Sequence, residues 1–137
     1  MTLYLDTSVL VSLFHADKHT PRALDWIAGV DDFVLSSWAL SEFSSALAVK
    51  SRMRHLLDKD RRALERQLDQ WLKTRTVLSV IDGDIVEARV MVRSDARLRA
   101  PDALHLAIAA RNDCVVATLD ADMAAVACDL GLEVVIP

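Results

Sequence analysis

The chain has 137 residues, 53% of them hydrophobic, with only three glycines, three prolines and a formal net charge of −4. This length and composition suit one globular domain with a sizeable core, and they argue against a disordered chain and a turn-rich all-β fold. The two cysteines, Cys114 and Cys128, lack metal-like spacing, which predicts reduced, small buried residues in a cytoplasmic protein. We expect neither a signal peptide nor a membrane span, since each charge-free stretch is about half the ~20 residues that a span needs.

Short apolar runs alternate with helical patterns along the whole chain. The predicted order is strand 2–5, helices 8–16 and 21–28, strand 33–36, helices 38–54 and 58–74, strand 77–81, helices 82–97 and 101–111, strand 114–118, helix 121–130 and strand 133–136. Strands separated by helices indicate an α/β fold, a parallel sheet with helices on both faces. The long helices at 38–54 and 58–74 are expected to form a hairpin-like arm. No linker or repeat divides the chain, so we expect residues 1–137 to form a single domain.

Four acidic residues stand where such a sheet would bring them together. Asp6 ends the first strand and Asp120 follows the strand at 114–118, while Glu42 and Asp102 lie in largely apolar helical segments. Ligands of an open parallel sheet bind outside the carboxyl ends of its strands, which is where Asp6 and Asp120 fall. Each acid alone is more often a helix cap or a turn residue, and Asp102 in a first helical turn also gains from the helix dipole. Four of them in apolar surroundings favour a shared site.

Clustered carboxylates repel one another and raise each other's pKa unless a cation neutralises them. Their oxygen atoms suit Mg²⁺ or Mn²⁺, which can activate a water for attack on phosphorus. The sequence has no P-loop, no paired-cysteine metal motif and no GxSxG motif. Nucleotide hydrolysis by a P-loop and serine catalysis therefore have little support.

A basic segment contrasts with the rest of the chain. Residues 50–75 contain nine Lys or Arg and four Asp or Glu, a net charge of +5, which leaves −9 for the remainder. Such a segment can attract a polyanion. Most charge runs, however, are solvated helix faces with i,i+4 ion pairs, and we favour that interpretation for most of these side chains.

Four short segments resemble the motifs of PIN domains, in the family's order and approximate spacing. They are LDTSVL at 5–10, SEF at 41–43, RAPDALHLAIA at 99–109 and ATLDADM at 117–123. The DALHLA stretch is the most specific. More narrowly, the segments resemble the VapC-type toxins of bacterial toxin–antitoxin pairs. The resemblance implies a PIN-like three-layer sandwich with a five-stranded parallel sheet, acidic residues that bind Mg²⁺ or Mn²⁺, and cleavage of RNA.

The resemblance also assigns residues to the site. Asp6, Glu42, Asp102 and Asp120 fall on the family's acidic quartet. Asp6 and Asp102 would be the most direct metal ligands. Glu42 and Asp120 would complete the catalytic site, directly or through water, and help to orient the attacking water.

Neighbouring residues receive supporting roles or none. Thr7 and Thr118 stand beside the acids, where the family often has a hydroxyl, and would support the loop or a water. Asp122 is as compatible with the start of helix 121–130 as with a metal role. We interpret His105 as a packed core residue rather than a general base, because its helix is apolar around it.

The implied partners are an RNA, an antitoxin and a second copy of the chain. Transfer or ribosomal RNA is the target by analogy, and Lys50, Arg52 and Arg54 would hold its backbone. The antitoxin would be small, with an extended tail across the site, where an arginine would compete with the metal for the carboxylates. Its helix would lie on the pair of helices at 38–54 and 58–74, unless the apolar residues there only pack these two helices together. The apolar residues are Trp38, Leu40, Phe43, Leu47, Leu56, Leu57, Leu64, Leu68 and Trp71.

Two other functions are compatible with the sequence. A haloacid-dehalogenase-like phosphatase or a phosphoacceptor domain also has an Asp after its first strand. The phosphatase pattern needs a second Asp where Ser8 stands, and neither class's lysine occurs in its expected context. A trapped aspartyl-phosphate on Asp6 would support this alternative. The third possibility is a catalytically inactive PIN-like module that only binds RNA or protein, although the presence of all four acids argues against a decayed site.

Overall fold

The computed structural model describes residues 1–137 as five short strands and seven helices. The strands are β1 (Leu3–Leu5), β2 (Phe33–Ser36), β3 (Thr76–Leu78), β4 (Val115–Ala117) and β5 (Val134–Val135). The helices are α1 (Thr7–Phe14), α2 (Thr20–Ala28), α3 (Ser37–Arg52), α4 (Asp58–Leu72), α5 (Asp82–Ser94), α6 (Ala100–Arg111) and α7 (Ala121–Asp129). Every predicted element is present.

The strands form one parallel sheet in the order β3-β2-β1-β4-β5. From the central β1 the chain moves outward to β2 and β3, then returns to the other side of β1 with β4 and β5. The order of the strands therefore reverses between β1 and β4, and this switch point lies just beyond the paired residues Leu5 and Ala117. The predicted α/β class with a five-stranded parallel sheet is confirmed.

Side chains alternate across the sheet and build two cores. Tyr4 and Val116 belong to a core that includes residues of α5, α6 and α7. Leu5 and Ala117 belong to a second core with residues of α1, α3 and α4. Successive side chains of a strand point to opposite faces of the sheet. A short apolar strand therefore packs against helices on both faces. This arrangement gives the three layers that the alternating sequence pattern predicts.

The third strand is shorter than the predicted 77–81. β3 pairs only with β2, and the last paired residues are Leu78 and Ser36. β2 ends at Ser36 because its hydroxyl accepts a hydrogen bond from the Ala39 N–H and so caps α3. Residues beyond Leu78 have no parallel partner. The Ile81 N–H donates instead to the Asp84 carboxylate at the start of α5.

Helices α3 and α4 pack on the core instead of standing as a separate arm. Phe43, Leu47 and Leu68 are buried, and Trp71 stacks on Phe33 with ring centroids 5.7 Å apart. Most of the apolar surface predicted to receive an antitoxin helix is therefore used within the fold. Leu57, which is 63% exposed, is the exception among those residues.

The two cysteines carry free thiols in different surroundings. Cys114 is half-buried, whereas Cys128 is exposed, so the predicted burial of Cys128 is wrong. The reason is helical geometry: α7 turns Met123 and Val126 toward the core and leaves Cys128 on its outer face. None of the helices has the length and apolar character that crossing a membrane would require.

Candidate active site

Asp6 follows β1 directly at the switch point and is only 3% exposed. One carboxylate oxygen accepts hydrogen bonds from the Ser8 hydroxyl (2.6 Å) and the Val9 N–H (3.1 Å), and the other accepts from the Thr118 hydroxyl (2.5 Å). Asp6 is therefore the N-cap of α1. Burial raises the pKa of Asp6 although these hydrogen bonds oppose the shift. No Lys, Arg or His forms a salt bridge with it.

Hydroxyl groups connect Asp6 to the loop that follows β4. Thr118 is fully buried, and its hydroxyl oxygen also accepts the Asp120 N–H at 3.0 Å. The Ser8 hydroxyl, which donates to Asp6, accepts the Leu119 N–H at 2.9 Å. Asp120 in turn caps α7 by accepting the backbone N–H groups of Asp122 and Met123. The ends of β1 and β4 are thus held together by side chains as well as by the sheet.

Asp102 lies in the first turn of α6 and faces Asp120 across an open cavity. The cavity measures about 160 Å³ and is lined by Asp102, Asp120 and the exposed Asp122, together with basic and apolar side chains, among them Arg97 and Arg99. Burial raises the pKa of Asp102; Arg99, with nitrogens 3.4 Å from the carboxylate, opposes the shift, and the Asp120 charge adds to it. Two partly exposed acids that repel each other across a cavity are suited to receive a cation.

Glu42 lies in α3, and its contacts connect it to the first residue of α1 and to α6. Its Oε1 accepts from the Thr7 hydroxyl (2.7 Å) and lies 2.5 Å from His105 Nε2. Burial raises the pKa of Glu42, but hydrogen bonds to His105 and Thr7 outweigh burial and hold the pKa below its ordinary value. Since Thr7 follows Asp6 directly and His105 lies one turn beyond Asp102, the fourth acid belongs to the same neighbourhood.

The other predicted residues lie at differing distances from this neighbourhood. Asp122 is exposed at its rim. Lys50, Arg52 and Arg54 lie at and beyond the C-terminal end of α3, free of side-chain ion pairs. Arg52 is ten residues past Glu42, about 15 Å along the helix axis. Elsewhere in the basic segment, Arg61 and Arg62 both pair with Asp58, in line with the solvated-face interpretation.

Two contributions to the site were missed by sequence reasoning. Ser8 was considered only as the place where a phosphatase would have an Asp, yet it contacts Asp6 and the β4 loop. His105 is buried, as predicted, but its Nε2 also contacts Glu42. The Thr-Ser pair after Asp6 is a local signal that could have indicated Ser8, because hydroxyls next to an N-cap commonly bond to it. No local signal pairs His105 with a residue 63 positions earlier.

The donor atoms suit a hard divalent cation in kind and place. All four candidate ligands are carboxylates at one edge of the sheet, and Mg²⁺ and Mn²⁺ prefer oxygen. In the present geometry no three His, Cys, Asp or Glu side chains are arranged to hold a metal ion together. Asp6 and Glu42 are instead turned toward hydroxyl and imidazole groups. Asp102 and Asp120 are the acids left facing an open cavity.

A five-stranded parallel sheet with helices on both faces and an acidic centre at its switch point defines the class of this protein. The sequence model of the PIN domain matches residues 3–128. The chain belongs to the PIN-domain family, whose members are nucleases, and the resemblance drawn from the motifs is confirmed. Membership also argues against the phosphatase alternative. No curated protein sequence gives a significant match.

Solved structures of toxin–antitoxin proteins have the same fold. The FitAcB structure from Neisseria gonorrhoeae has a TM-score of 0.75 at 21% identity, covering 96% of this chain and 95% of that one. VapC20 from Mycobacterium tuberculosis, described as a sarcin-ricin loop cleaving toxin, has a TM-score of 0.75 at 20% identity and covers 98% and 99%. VapBC2 from Rickettsia felis, bound to a promoter DNA fragment, has a TM-score of 0.71 at 14% identity and covers 99% and 98%.

Proposed function

We propose that this protein is a Mg²⁺- or Mn²⁺-dependent endoribonuclease and the toxin of a toxin–antitoxin pair. The observation that carries the proposal is the convergence of Asp6, Glu42, Asp102 and Asp120 at the switch point of the sheet. Membership of a nuclease family supports the reaction class. The similarity to toxins of the VapC and FitB kind supports the biological role.

Asp102 and Asp120 are the first candidates to hold the metal. Glu42 would complete the set through Oε2, the oxygen that accepts no hydrogen bond, and Asp6 would do so after a change of side-chain orientation. A bound cation would lower the pKa of a coordinated water and stabilise the leaving oxygen. The chain's own groups then have separate tasks. Asp6 and Asp120 bring charge to the ends of β1 and β4, and Thr7 and Thr118 fix the acids by hydrogen bonds. Attack by water on the phosphodiester leaves a 3′-hydroxyl and a 5′-phosphate.

RNA backbone contacts are proposed for Lys50, Arg52 and Arg54. They are the part of the basic segment nearest to Glu42 in sequence, and none of them is engaged in an ion pair. Unpaired basic side chains can replace counterions along a phosphate backbone, so binding should weaken as salt rises. Transfer and ribosomal RNA are the proposed target classes.

An antitoxin and a second copy of the chain are the proposed protein partners. Several of the similar structures are toxin–antitoxin complexes. Most apolar side chains of α3 and α4 are packed inside the fold, so we expect the antitoxin to use the cavity of about 430 Å³ where Trp71 meets α1 and α2. Its tail would reach the acids and compete with the metal. Sedimentation at micromolar concentration tests the homodimer, and a monomer would refute it.

The first experiment is cleavage of total cellular RNA by the purified chain with Mg²⁺ or Mn²⁺. We expect discrete fragments that disappear with EDTA, with Asp6→Asn and with Asp102→Asn. Asp25→Asn, an exposed change of the same kind on α2, should cleave like the wild type. Cleavage that survives both site variants would overturn the proposal. Mn²⁺ binding without cleavage would indicate a narrow RNA target, and absence of both would favour the inactive binding module.

A further inference from the structure

A buried chain of hydrogen bonds leads from the sheet to Glu42. Ser36 Oγ lies 2.7 Å from the Tyr4 hydroxyl, which lies 2.7 Å from His105 Nδ1. His105 Nε2 lies 2.5 Å from Glu42 Oε1. Ser36, Tyr4 and His105 are each 2% exposed or less. Water therefore cannot satisfy these groups, and each proton in the chain needs a protein partner.

Only one arrangement of protons satisfies every group. Burial raises the pKa of the Tyr4 phenol, so the phenol keeps its proton. Ser36 Oγ already accepts the Ala39 N–H, and the Tyr4 oxygen is the remaining neighbour to which its own proton can go. The Tyr4 proton then goes to Nδ1, which must be an acceptor. The imidazole proton is left on Nε2 and points at Glu42.

The opposite tautomer conflicts with the geometry at Glu42. With the proton on Nδ1, the lone pair of Nε2 would face a carboxylate oxygen 2.5 Å away. The Thr7 hydroxyl, 3.1 Å from Nε2, could donate to that lone pair only by giving up its shorter bond to Glu42 Oε1. The contacts therefore select the tautomer in which Nδ1 accepts from Tyr4 and Nε2 donates to Glu42.

Glu42 is held through only one of its two oxygens. Oε1 accepts from Thr7 and from His105, whereas Oε2 accepts no hydrogen bond from the protein. A carboxylate fixed in this way cannot rotate freely, yet it presents one oxygen for another ligand. Removing a group that holds a ligand side chain in place typically lowers metal affinity by about 10- to 100-fold.

We propose that His105 is a positioning residue that orients Glu42 for the acidic centre, and that Tyr4 and Ser36 set the tautomer in which it does so. This inference rests on the proposed function, because it takes Glu42 as part of the site. It assigns a task to the histidine of the DALHLA segment beyond filling the core.

Nitrogen NMR of ¹⁵N-histidine-labelled protein in metal-free buffer tests the hydrogen-bonded chain without any activity. The chain has four histidines, and the His105 signals are those missing from His105→Leu. We expect a ring that carries its proton at Nε2, with an Nδ1 signal that shifts in Tyr4→Phe. A ring protonated at Nδ1, or an Nδ1 signal that ignores Tyr4→Phe, would overturn the proposal.

Mn²⁺ affinity, measured by EPR of the free ion, tests the consequence for the site. We expect His105→Leu to weaken binding by about 10- to 100-fold and to lower kcat, whereas His105→Gln, which keeps an N–H donor, should lose less. Ile108→Val is the matched control, since Ile108 is buried in the same helix but belongs to the apolar core and forms no hydrogen bond with Glu42. Equal losses in His105→Leu and Ile108→Val would mean core damage only and would refute positioning.

Failure of the proposed function would give a different result. A wild type that neither binds Mn²⁺ nor cleaves RNA would refute the metal-dependent nuclease, and with it a role of His105 at a metal centre. A wild type that binds and cleaves, with Asp102→Asn inactive and His105→Leu unchanged, would keep the function and refute only the positioning role.

Discussion

Replacing Thr118 by Val should weaken the fold by removing the hydroxyl that joins two of the acids. The Thr118 hydroxyl is fully buried, donates to Asp6 at 2.5 Å and accepts the Asp120 N–H at 3.0 Å. A hydrogen bond to a charged group contributes about 1.5–3 kcal/mol, and a donor left without a partner costs about 1–3 kcal/mol. Asp120 is half-buried, so water can partly replace the second bond. We therefore expect a loss of about 2–4 kcal/mol in the free energy of unfolding.

Urea unfolding at pH 7 in EDTA measures this loss without interference from bound metal. Thr118→Ser keeps the hydroxyl and loses one methyl group, so it should cost about 1 kcal/mol. Thr2→Val is the matched control, because the Thr2 hydroxyl also donates to an aspartate, Asp32, but at an exposed position. This change should lower the free energy of unfolding by no more than about 0.5 kcal/mol. If Thr118→Val costs no more than Thr118→Ser, the hydroxyl does not hold the acids and the reasoning is wrong.

Three further predictions concern a buried ion pair, metal binding and RNA binding. Arg111 bonds to the buried Asp84 through two nitrogens, at 2.7 and 3.0 Å; burial raises the pKa of Asp84, but Arg111 outweighs it and lowers that pKa. Because the folded pKa lies below the unfolded one, this stability is present above about pH 4 and lost as pH falls through the folded pKa. In Asp84→Asn the free energy of unfolding should therefore fall less steeply as the pH is lowered. A pH dependence equal to that of the wild type would contradict the stabilising role of the Asp84–Arg111 pair. Adding Mn²⁺ at 100 times its Kd should stabilise the wild type by about 2.7 kcal/mol, and a melting curve of Asp102→Asn should lack most of that gain. Reversing the charges of Arg52 and Arg54 should weaken RNA binding. The slope of the logarithm of the binding constant against the logarithm of salt concentration should become shallower by about 0.7 for each phosphate that is no longer neutralised. An unchanged slope in a filter-binding titration would show that these residues do not contact the RNA.

Much of the fold could be predicted because its causes are local. Apolar residues repeat at helical spacing in α4 and stand in short runs in β1 and β4, and the period of such a pattern predicts which element it forms. The placement of Asp6 and Asp120 followed from the same pattern, since a polar residue directly after a buried strand marks the carboxyl end of that strand. The end of β3 could not be predicted, because it depends on where its partner strand turns into a helix.

The sequence by itself determined the order of strands and helices and the acids that stand at strand ends and helix starts. Only the tertiary structure decided which groups those acids contact. His105 is encoded as a buried residue of an apolar helix, and nothing within several residues of it indicates Glu42. Their contact exists because the first two turns of α3 and α6 both lie beside β1, where Tyr4 is hydrogen-bonded to Ser36 and to His105. Burial is encoded by short-range periodicity, whereas the partner of a buried polar group is chosen by the packing of elements that are distant in the chain.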